Sequence, residues 1–307
     1  MKAPLLNPLL TGIATRYMAS LPLVGLRLAP VFNTPLHSSQ YYIYETSNFT
    51  DIPTDIRRSP SAPFKRLNSK LSSDTFVARD YGIEEPIDMM ELKLYSSFFQ
   101  ADKSAMERAV RVVAINHELR VRTAVRALSA TATPTVKWNA ATGTTIIADV
   151  QAAKNAVQAA IGVDPNLMTI PRDVMNALRV APEILERYKY TDSGIVSKLQ
   201  LEALFEMEII VSNDNINSAA EGQTASMGGI WSDEVVLSYS QPSADIKALN
   251  FMRTFNWSAS DGSGPSGIST FSYDENPIDS RIVRARQFTD EKVVAAGAAY
   301  YLSNVLA

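Results

Sequence analysis

The chain of 307 residues contains no cysteine and only two histidines, His37 and His117. The absence of cysteine excludes disulfide bridges, thiolate metal sites and a cysteine nucleophile. Two histidines are too few for a multi-histidine metal site, and they give no support to a Ser-His-Asp triad. No apolar run approaches the roughly 18 residues that span a membrane, so no transmembrane segment is predicted.

The chain also lacks a strong charge of either sign, because its formal net charge at pH 7 is −3. Such a balance provides no global basic field that would attract nucleic acid or anionic lipid. Hydrophobic residues make up 46% of the chain and charged residues 20%, which indicates a folded protein. The length suffices for a large core or for two or three sub-domains.

The stretch from Asp102 to Ser129 contains neither glycine nor proline. Its apolar stripe steps by three or four residues through Met106, Val110, Val113, His117, Val121, Ala124 and Leu128. This spacing predicts an α-helix roughly 40 Å long at 1.5 Å per residue, with Asp102 as its N-cap. We interpret it as the long central helix around which the rest of the subunit is organised.

Two further features of this helix concern its environment. Val112, Ile115 and Leu119 make a second face apolar, which predicts burial on more than one side. His117 lies on the apolar stripe, where a hydrogen-bonded core or interface histidine is expected. Ion pairs at i,i+4 spacing are predicted for Glu107 with Arg111 and for Glu118 with Arg122.

The first 30 residues are rich in leucine but show little regular periodicity. Pro4, Asn7, Pro8 and Arg16 interrupt any apolar core of a signal peptide, and no clean cleavage site follows. We interpret the segment as an extended apolar arm. Such an arm cannot fold alone and is expected to lie on something else, such as a neighbouring subunit.

Two β-prone stretches, Ser38–Thr46 and Thr75–Gly82, flank a segment rich in proline, serine and basic residues. The pattern predicts a long β-hairpin with a polar tip. The basic residues of this segment are Arg57, Arg58, Lys65, Arg66 and Lys70. Because aromatic stacking partners are missing, a solvated or protein-docking loop is favoured over a nucleic-acid contact.

Short helices and strands alternate through the middle of the chain, a pattern typical of an α+β sub-domain. Pro86–Asp88 is expected to open a helix, and Ile147–Ile161 is predicted as a helix with Gly162 as its C-cap. From Phe251 onward the sequence is mostly β-prone, whereas Thr289–Ala307 fits either a helix start or strands.

The sequence offers no case for catalysis. Gly262–Gly267 matches G-x-G-x-x-G, but β-prone sequence on both sides and an internal proline favour a hairpin turn over a dinucleotide site. The acidic residues of the middle region fall on helix surfaces without a desolvated pair. They are Glu183, Glu186, Glu202, Glu206 and Glu208. An α+β ligand-binding protein or hydrolase that uses the polar loop Asn213–Gly229 remains an alternative.

The second half of the chain resembles the major capsid proteins of tailed double-stranded DNA phages, whose fold was first seen in phage Hong Kong ninety-seven. PNLMTIPRDVMNALRVAPEILERYKY (Pro165–Tyr190) is similar to that family's strand, helix and P-x-I-x-E-R-x-K-Y run. A short helix, a hydrophobic strand, a small-residue loop and the Trp-centred strand of Gly228–Ser240 follow in the family's order. The ending Val283–Leu306 also resembles the family.

The resemblance implies an α+β protein with the tailed-phage major capsid fold. Its parts would be an N-terminal arm (residues 1–30), an extended β-hairpin loop (31–84), a peripheral domain with a long spine helix (85–164), an axial domain (165–245), and strands returning to the peripheral domain with the C-terminal segment (246–307). The arm and the hairpin loop would be ordered by other subunits, in large obligate interfaces.

The resemblance further implies the function and the partners. The chain would be a structural protein and not an enzyme, without a cofactor, and would self-assemble into hexamers and pentamers of an icosahedral head that encloses double-stranded DNA. Scaffold and portal proteins, and optionally a cement protein, would be its partners. It would assemble in the host bacterial cytoplasm and reside in the virion capsid, away from membranes. A phage tail-tube or baseplate subunit is a second alternative.

Contacts between subunits are expected at the hairpin loop and the arm. The candidate residues are Arg57, Arg58, Lys65, Arg66 and Lys70 in the loop, and Leu5, Leu9 and Tyr17 in the arm. Some family members cross-link a lysine to an asparagine between subunits, but nothing here identifies a catalytic acid or a partner asparagine. No cross-link is therefore predicted. No long charged helical segment precedes the arm, so a separate scaffold protein is expected.

Overall fold

The structure, a computed structural model, describes residues 5–43, 56–64, 66, 72–92, 98–128, 131–188, 196–220, 222–243, 245–259 and 266–307. The helices of this part are α1 (Pro8–Ser20), α2 (Gly25–Leu28), α3 (Met89–Leu92), α4 (Phe98–Arg126), α5 (Ile146–Ile161), α6 (Arg172–Val180), α7 (Pro182–Tyr188) and α8 (Lys198–Phe205). In the same residues, no helix is both long and apolar enough to cross a membrane.

The strands fall into two larger sheets and two hairpins. They are β1 (Leu5–Leu6), β2 (Val31–Thr34), β3 (Ser38–Ile43), β4 (Ser72–Val77), β5 (Arg79–Asp88), β6 (Thr131–Ala132), β7 (Leu167–Pro171), β8 (Glu208–Ser212), β9 (Asn215–Asn217), β10 (Met227–Gly229), β11 (Val235–Ser238), β12 (Met252–Trp257), β13 (Ile268–Glu275), β14 (Ser280–Val293) and β15 (Ala299–Leu302).

Strand β14 is the centre of the larger sheet, whose order is β1-β13-β14-β12-β2 with β5 also paired to β14. Thr289 of β14 pairs with Arg79 of β5 and with Asn256 of β12, and Gln287 pairs with Ile268 of β13 as well as with β5. A strand has two edges. Strands β12 and β13 therefore lie end to end along the edge of β14 opposite β5.

This topology corrects the hairpin turn predicted at Gly262–Gly267. The loop joins β12 to β13, and each of these strands pairs with β14. Residues 260–265 of the loop lie outside the described residues. The hairpin is formed instead by β13 and β14, whose turn ends at Asp279 with a φ of 44°. Composition does not encode the strand with which each of β12 and β13 pairs.

Helix α4 is the predicted long helix, with 29 residues and an earlier start than expected. Asp102 was predicted as the N-cap and instead lies inside the helix, where both of its carboxylate oxygens accept from Arg281 at 2.6 and 2.8 Å. The guanidinium replaces the amide N–H groups that a capping carboxylate would bind. The apolar stripe from Met106 to Val121 is buried as predicted, whereas Val112 of the second face is exposed.

The N-terminal arm is not extended, because residues Pro8–Ser20 form a regular helix. The Asn7 side chain accepts from the Leu10 N–H at 3.2 Å, and proline follows in the first turn. Asparagine and proline at these positions start a helix. Ala14 and Met18 pack into one cluster with apolar residues of α4, so the arm lies on its own subunit.

The hairpin of β3 and β4 forms as predicted, in antiparallel register from Ser38 opposite Val77 to Ile43 opposite Ser72. The second predicted strand, Thr75–Gly82, is divided at Ala78, after which β5 joins the larger sheet. The root of the hairpin is aromatic. Phe76 stacks on Phe255 with ring centroids 4.5 Å apart, and Tyr41 packs beside them.

The second sheet has the order β6-β15-β11-β7-β8. Helices α5 to α8 pack around the apolar cluster on this sheet, and Gly162 ends α5 as predicted, with a φ of 74°. Strands β6 and β15 belong to this sheet but lie outside residues 165–245. The proposed axial-domain boundaries remain a prediction. The ambiguous ending is resolved as strand, because β14 extends to Val293 and β15 follows.

The residues Pro86–Asp88, which were expected to open a helix, are the last residues of β5, and α3 begins directly after them at Met89. The Asp88 carboxylate accepts from the Met90 N–H at 2.6 Å, and residues 93–97, where the predicted helix would continue, lie outside the described residues. Asp88 thus caps the first turn as its position indicated. Proline is tolerated in β5 because this strand lies at the edge of the described sheet.

Candidate intersubunit contact surfaces and the anchor of the arm

The loop between β3 and β4 places its described basic residues in solvent. Arg57, Arg58 and Arg66 are all exposed, and the Arg58 guanidinium lies 4.9 Å from the centroid of the Phe64 ring. Lys65 and Lys70, the other two candidates in this loop, lie outside the described residues. The contact role of all five basic residues remains a prediction.

Two apolar side chains of this loop were missed by the sequence reasoning. Ile56 is 74% exposed and Phe64 is 70% exposed. Exposed large apolar side chains that recur within one short segment are typical of interaction sites. The signal in the sequence was the placing of an isoleucine and a phenylalanine beside arginines in a segment otherwise rich in proline and serine.

The three arm candidates occupy different environments. The backbone of Leu5 pairs with Ser272 of β13. Leu9 is 63% exposed on the outer side of α1, whereas Tyr17 is half-buried against the apolar cluster that α1 shares with α4. Leu9 is therefore available to another subunit, and Tyr17 is engaged within its own chain.

Glu118 of α4 fixes the end of the arm to the body of the subunit. Its carboxylate accepts from the backbone N–H groups of Val24 at 3.3 Å and Gly25 at 2.6 Å, and from the indole N–H of Trp231 at 2.5 Å. The predicted ion pair of Glu118 with Arg122 is wrong. Arg122 bonds instead to the buried Glu234.

Burial raises the pKa of Glu118 to about 7, and the three hydrogen bonds only partly oppose this shift. The nearby charge of Asp214 raises this pKa further. Asp214 is itself buried, and burial also raises its pKa. The anchor of the arm thus contains a carboxyl group that changes protonation near neutral pH.

His117, the neighbour of Glu118, is a hydrogen-bonded core residue as predicted. Its Nε2 atom lies 3.0 Å from the Thr254 hydroxyl, and the side chain is almost fully buried. Burial lowers the pKa of His117 to about 4, which leaves it neutral at pH 7. The adjacent Glu291 carboxylate accepts from Arg120 at 2.7 and 3.0 Å, so its charge is compensated.

The other predicted ion pair of α4 is also wrong, because Glu107 pairs with Lys103 at 3.7 Å instead of Arg111. Two of the acidic residues of the middle region bind backbone N–H groups. Glu183 accepts from Ile146 at 2.8 Å, at the start of α5, and Glu202 accepts from Ile209 at 3.0 Å. Both interactions are structural, because the first satisfies a free N–H group at the start of a helix and the second joins α8 to β8.

The loop Asn213–Gly229, on which the hydrolase alternative rested, forms a small antiparallel hairpin of β9 and β10. Its described side chains are mostly exposed, including Met227. Among the described residues, no group of three or more metal-ligating side chains occurs. The features that the described residues provide are the exposed apolar side chains of the loop and the arm, and the buried contacts of Glu118 with the arm.

Comparison with known proteins gives related chains in phages. No model of a protein family matches the sequence. The chain is 26% identical to a major capsid protein of Burkholderia phage BcepMu over 246 residues, which cover 78% of this chain and 77% of the relative.

Solved structures share the fold over nearly the whole chain. A phage-related protein of Bordetella bronchiseptica RB50 superposes with a TM-score of 0.76 at 20% identity and 99% coverage of both chains. The capsid structure of cyanophage P-SCSP1u superposes with a TM-score of 0.58 at 11% identity, over 91% of this chain and 87% of that one. The chain therefore has the major capsid fold of tailed phages and is a relative of a phage major capsid protein.

Proposed function

We propose that this chain is the structural major capsid protein of a tailed phage, which self-assembles into the icosahedral head that encloses double-stranded DNA. The observation that carries the proposal is the similarity to a major capsid protein over more than three quarters of both chains. The tailed-phage capsid fold over more than nine tenths of the chain supports it. The place of the protein is then the virion capsid.

The exposed side chains support an assembling subunit. Ile56 and Phe64 of the hairpin loop and Leu9 of the arm are large, apolar and exposed in the isolated chain. In obligate assemblies, such residues are buried in interfaces that resemble the hydrophobic core of a domain. A structural role needs these surfaces and no reaction centre.

Hexamers and pentamers are the proposed capsomers, because an icosahedral shell is built from these two rings. Scaffold and portal proteins are the proposed partners during assembly. The net charge of −3 suits a wall that contains DNA without reading its sequence. Packaged DNA carries its own counterions, so the wall need not neutralise it.

Negative-stain electron microscopy of the purified chain tests the proposal, both alone and after co-expression with the genes that flank it. We expect rings of five or six subunits or closed shells. Stacked rings would favour a tail-tube or baseplate subunit instead. A monodisperse monomer or dimer under every condition would contradict the capsid function and favour an α+β ligand-binding protein.

A further inference from the structure

A short segment of the chain, at the end of the arm, lies between the two larger sheets. We define the bridging segment as Val24–Pro30, which contains α2. Leu28 and Ala29 of this segment are completely buried, in an apolar cluster that also contains Val236 of β11 and Met252 of β12. Strand β11 belongs to the second sheet and β12 to the larger sheet. The bridging segment therefore fills part of the core that the two sheets share.

Buried hydrogen bonds join the bridging segment to the larger sheet. The Ala29 carbonyl accepts from the Thr254 hydroxyl at 2.9 Å, and the Pro30 carbonyl accepts from the Thr254 N–H at 3.1 Å. Thr254 belongs to β12 and is completely buried. Breaking these bonds would leave polar groups in the core without water to replace their partners. The segment is therefore held firmly on the side of the larger sheet.

Two neighbouring residues of α4 hold opposite ends of the bridging segment. Glu118 binds the N–H groups at its start. At its other end, the Thr254 hydroxyl donates its one hydrogen to Ala29 and therefore accepts from the Nε2–H group of His117, at 3.0 Å. His117 thus orients the hydroxyl that binds the segment. Both side chains of α4 are buried, so these contacts are also protected from water.

The hydrogen bonds of the bridging segment to the second sheet are exposed. The Arg27 guanidinium donates to the Glu208 carboxylate of β8 at 2.6 Å, and the two side chains are 54% and 48% exposed. The Ser240 hydroxyl donates to the Arg27 carbonyl at 2.5 Å. Ser240 is fixed to the second sheet, because it exchanges two hydrogen bonds with Asn166, which precedes β7. Since exposed ion pairs contribute little to stability, the segment is held more weakly on this side.

The bridging segment spans the junction at which the chain passes from one sheet to the other. Two connections, residues 239–251 and 294–298, lie side by side there. The Phe251 N–H donates to the Tyr239 carbonyl at 2.9 Å, and the Phe251 carbonyl accepts from the Val294 N–H at 2.9 Å. Ser240 follows Tyr239 directly, and Thr254 is three residues after Phe251. The segment thus connects the two sheets across the residues that would absorb a rotation between them.

We propose that the bridging segment fixes the orientation of the second sheet relative to the larger sheet, and that this connection opens on the side of the second sheet. The exposed contacts of Arg27 with Glu208 and Ser240 separate first. The buried contacts with Glu118 and Thr254 stay closed, so the segment remains with α4 and the larger sheet. The inference concerns the single subunit and does not depend on the proposed function.

The distance between two spin labels, one on each sheet, measures this orientation. The natural chain has no cysteine, so labels can be placed at Ile278→Cys in the turn before β14 and at Leu199→Cys on α8. Both parent side chains are exposed. The labelled chain is mixed with an excess of the natural chain, so that the measured distances lie within one subunit. We expect a single narrow distance distribution.

Reversal of one charge should loosen the connection. In Arg27→Glu, two carboxylates face each other at Glu208, and the distance distribution should become about twofold broader. The second substitution Glu208→Arg restores an ion pair with the charges exchanged. It should return the distribution to its natural width. Such a rescue is not expected if residue 27 acts only through the packing of α2.

Lys103→Glu is the matched control for this charge reversal. Lys103 forms an exposed ion pair with Glu107 within α4, away from the bridging segment. The substitution therefore also places two carboxylates together and changes the net charge equally. It should leave the distance distribution unchanged. Equal broadening in Lys103→Glu would overturn the inference.

Amide hydrogen exchange tests which side opens. The N–H groups of Gly25 and Thr254 bond to Glu118 and to Pro30, on the side that stays closed. Their exchange rates in Arg27→Glu should remain within about twofold of those in the natural chain. A rise of about tenfold or more would show that the whole segment detaches, which would overturn the proposed direction of opening.

The outcomes separate this inference from the proposed function. An unchanged distance distribution in Arg27→Glu, or broadening that Glu208→Arg does not reverse, would overturn the role of the bridging segment and leave the capsid function standing. A chain that never forms rings or shells would overturn the capsid function. The distances and exchange rates would still decide the role of the bridging segment, because they are measured within one subunit.

Discussion

The backbone nitrogen of Gly25 lies 2.6 Å from the Glu118 carboxylate, an approach that leaves no space for a side chain at position 25. A Cβ atom there would lie 2.6 Å from Oε2 of Glu118 and 3.3 Å from Nδ1 of His117. Glycine therefore allows the end of the arm to reach a buried carboxylate of the long helix. The arm is held by this close contact as well as by its apolar face.

Gly25→Ala is expected to lower the free energy of unfolding by about 2 kcal/mol, since an inserted methyl group in a filled site forces its neighbours apart. Gly12→Ala is the matched control. Gly12 lies in α1 with no atom within 4 Å of a Cβ, so alanine there should raise the stability by about 0.5–1 kcal/mol. Urea denaturation measures both values, and equal effects would contradict the role assigned to Gly25.

His117 and Glu118 should make the stability depend on pH in opposite directions. The pKa of Glu118 is raised to about 7, so its contribution is present below pH 4.5 and is lost as the pH rises to about 7. The pKa of His117 is lowered to about 4, so its contribution is present above pH 6.5 and is lost as the pH falls towards 4. The two windows overlap, and the two slopes should largely cancel in the natural chain.

Single substitutions should reveal each slope. In Glu118→Gln, the melting temperature should fall as the pH drops from about 6.5 to 4, relative to the natural chain. In His117→Gln, it should fall as the pH rises from about 4.5 to 7. Calorimetry between pH 4 and 8 compares the two variants. Parallel profiles would refute the opposing linkage.

Asp102→Asn is expected to lower the free energy of unfolding by about 2 kcal/mol, because it removes the buried charge that Arg281 contacts with two nitrogens. Asp274→Asn is the control on the same guanidinium. The Asp274 side chain is half exposed, so its loss should cost less than about 0.5 kcal/mol. Thermal unfolding of the two variants at neutral pH distinguishes them. A larger loss in Asp274→Asn would contradict the assignment.

Removal of the hairpin loop should separate folding from assembly. Ile43 and Ser72 are paired residues, so an Asn-Gly turn can join them directly in place of residues 44–71. The aromatic root at Phe76 and Phe255 is retained, and the melting temperature should therefore change by only about 5 °C. Electron microscopy should find no shells. Normal shells formed by this variant would show that the loop is dispensable.

Local patterns in the sequence predicted the elements that local physics determines. The stripe from Met106 to Val121 needs only helical spacing, and Gly162 needs only the left-handed conformation of a helix end. The hairpin of β3 and β4 was found because β-prone stretches flank a polar segment. These features depend on residues close together in the chain.

Partners distant in the chain were not predictable in the same way. Asp102 looked like a helix cap because Arg281, which binds it, is 179 residues away. Glu118 looked like a surface residue of a helical ion pair, yet its partners lie on the arm and at Trp231. The helix α1 was missed for another reason, since Asn7 and Pro8 were taken as interruptions and not as its start.

Because β1 pairs with β13, a subunit cannot finish folding before β13 has been synthesised. Leu5 leaves the ribosome first among the paired residues but needs Ser272 as its partner, and β6 likewise needs β15 near the end of the chain. Contacts between such distant residues form late in folding. Neither sheet can be completed until β13 and β15 have been synthesised. A nascent chain that has not reached β15 therefore cannot offer a finished subunit to a growing shell.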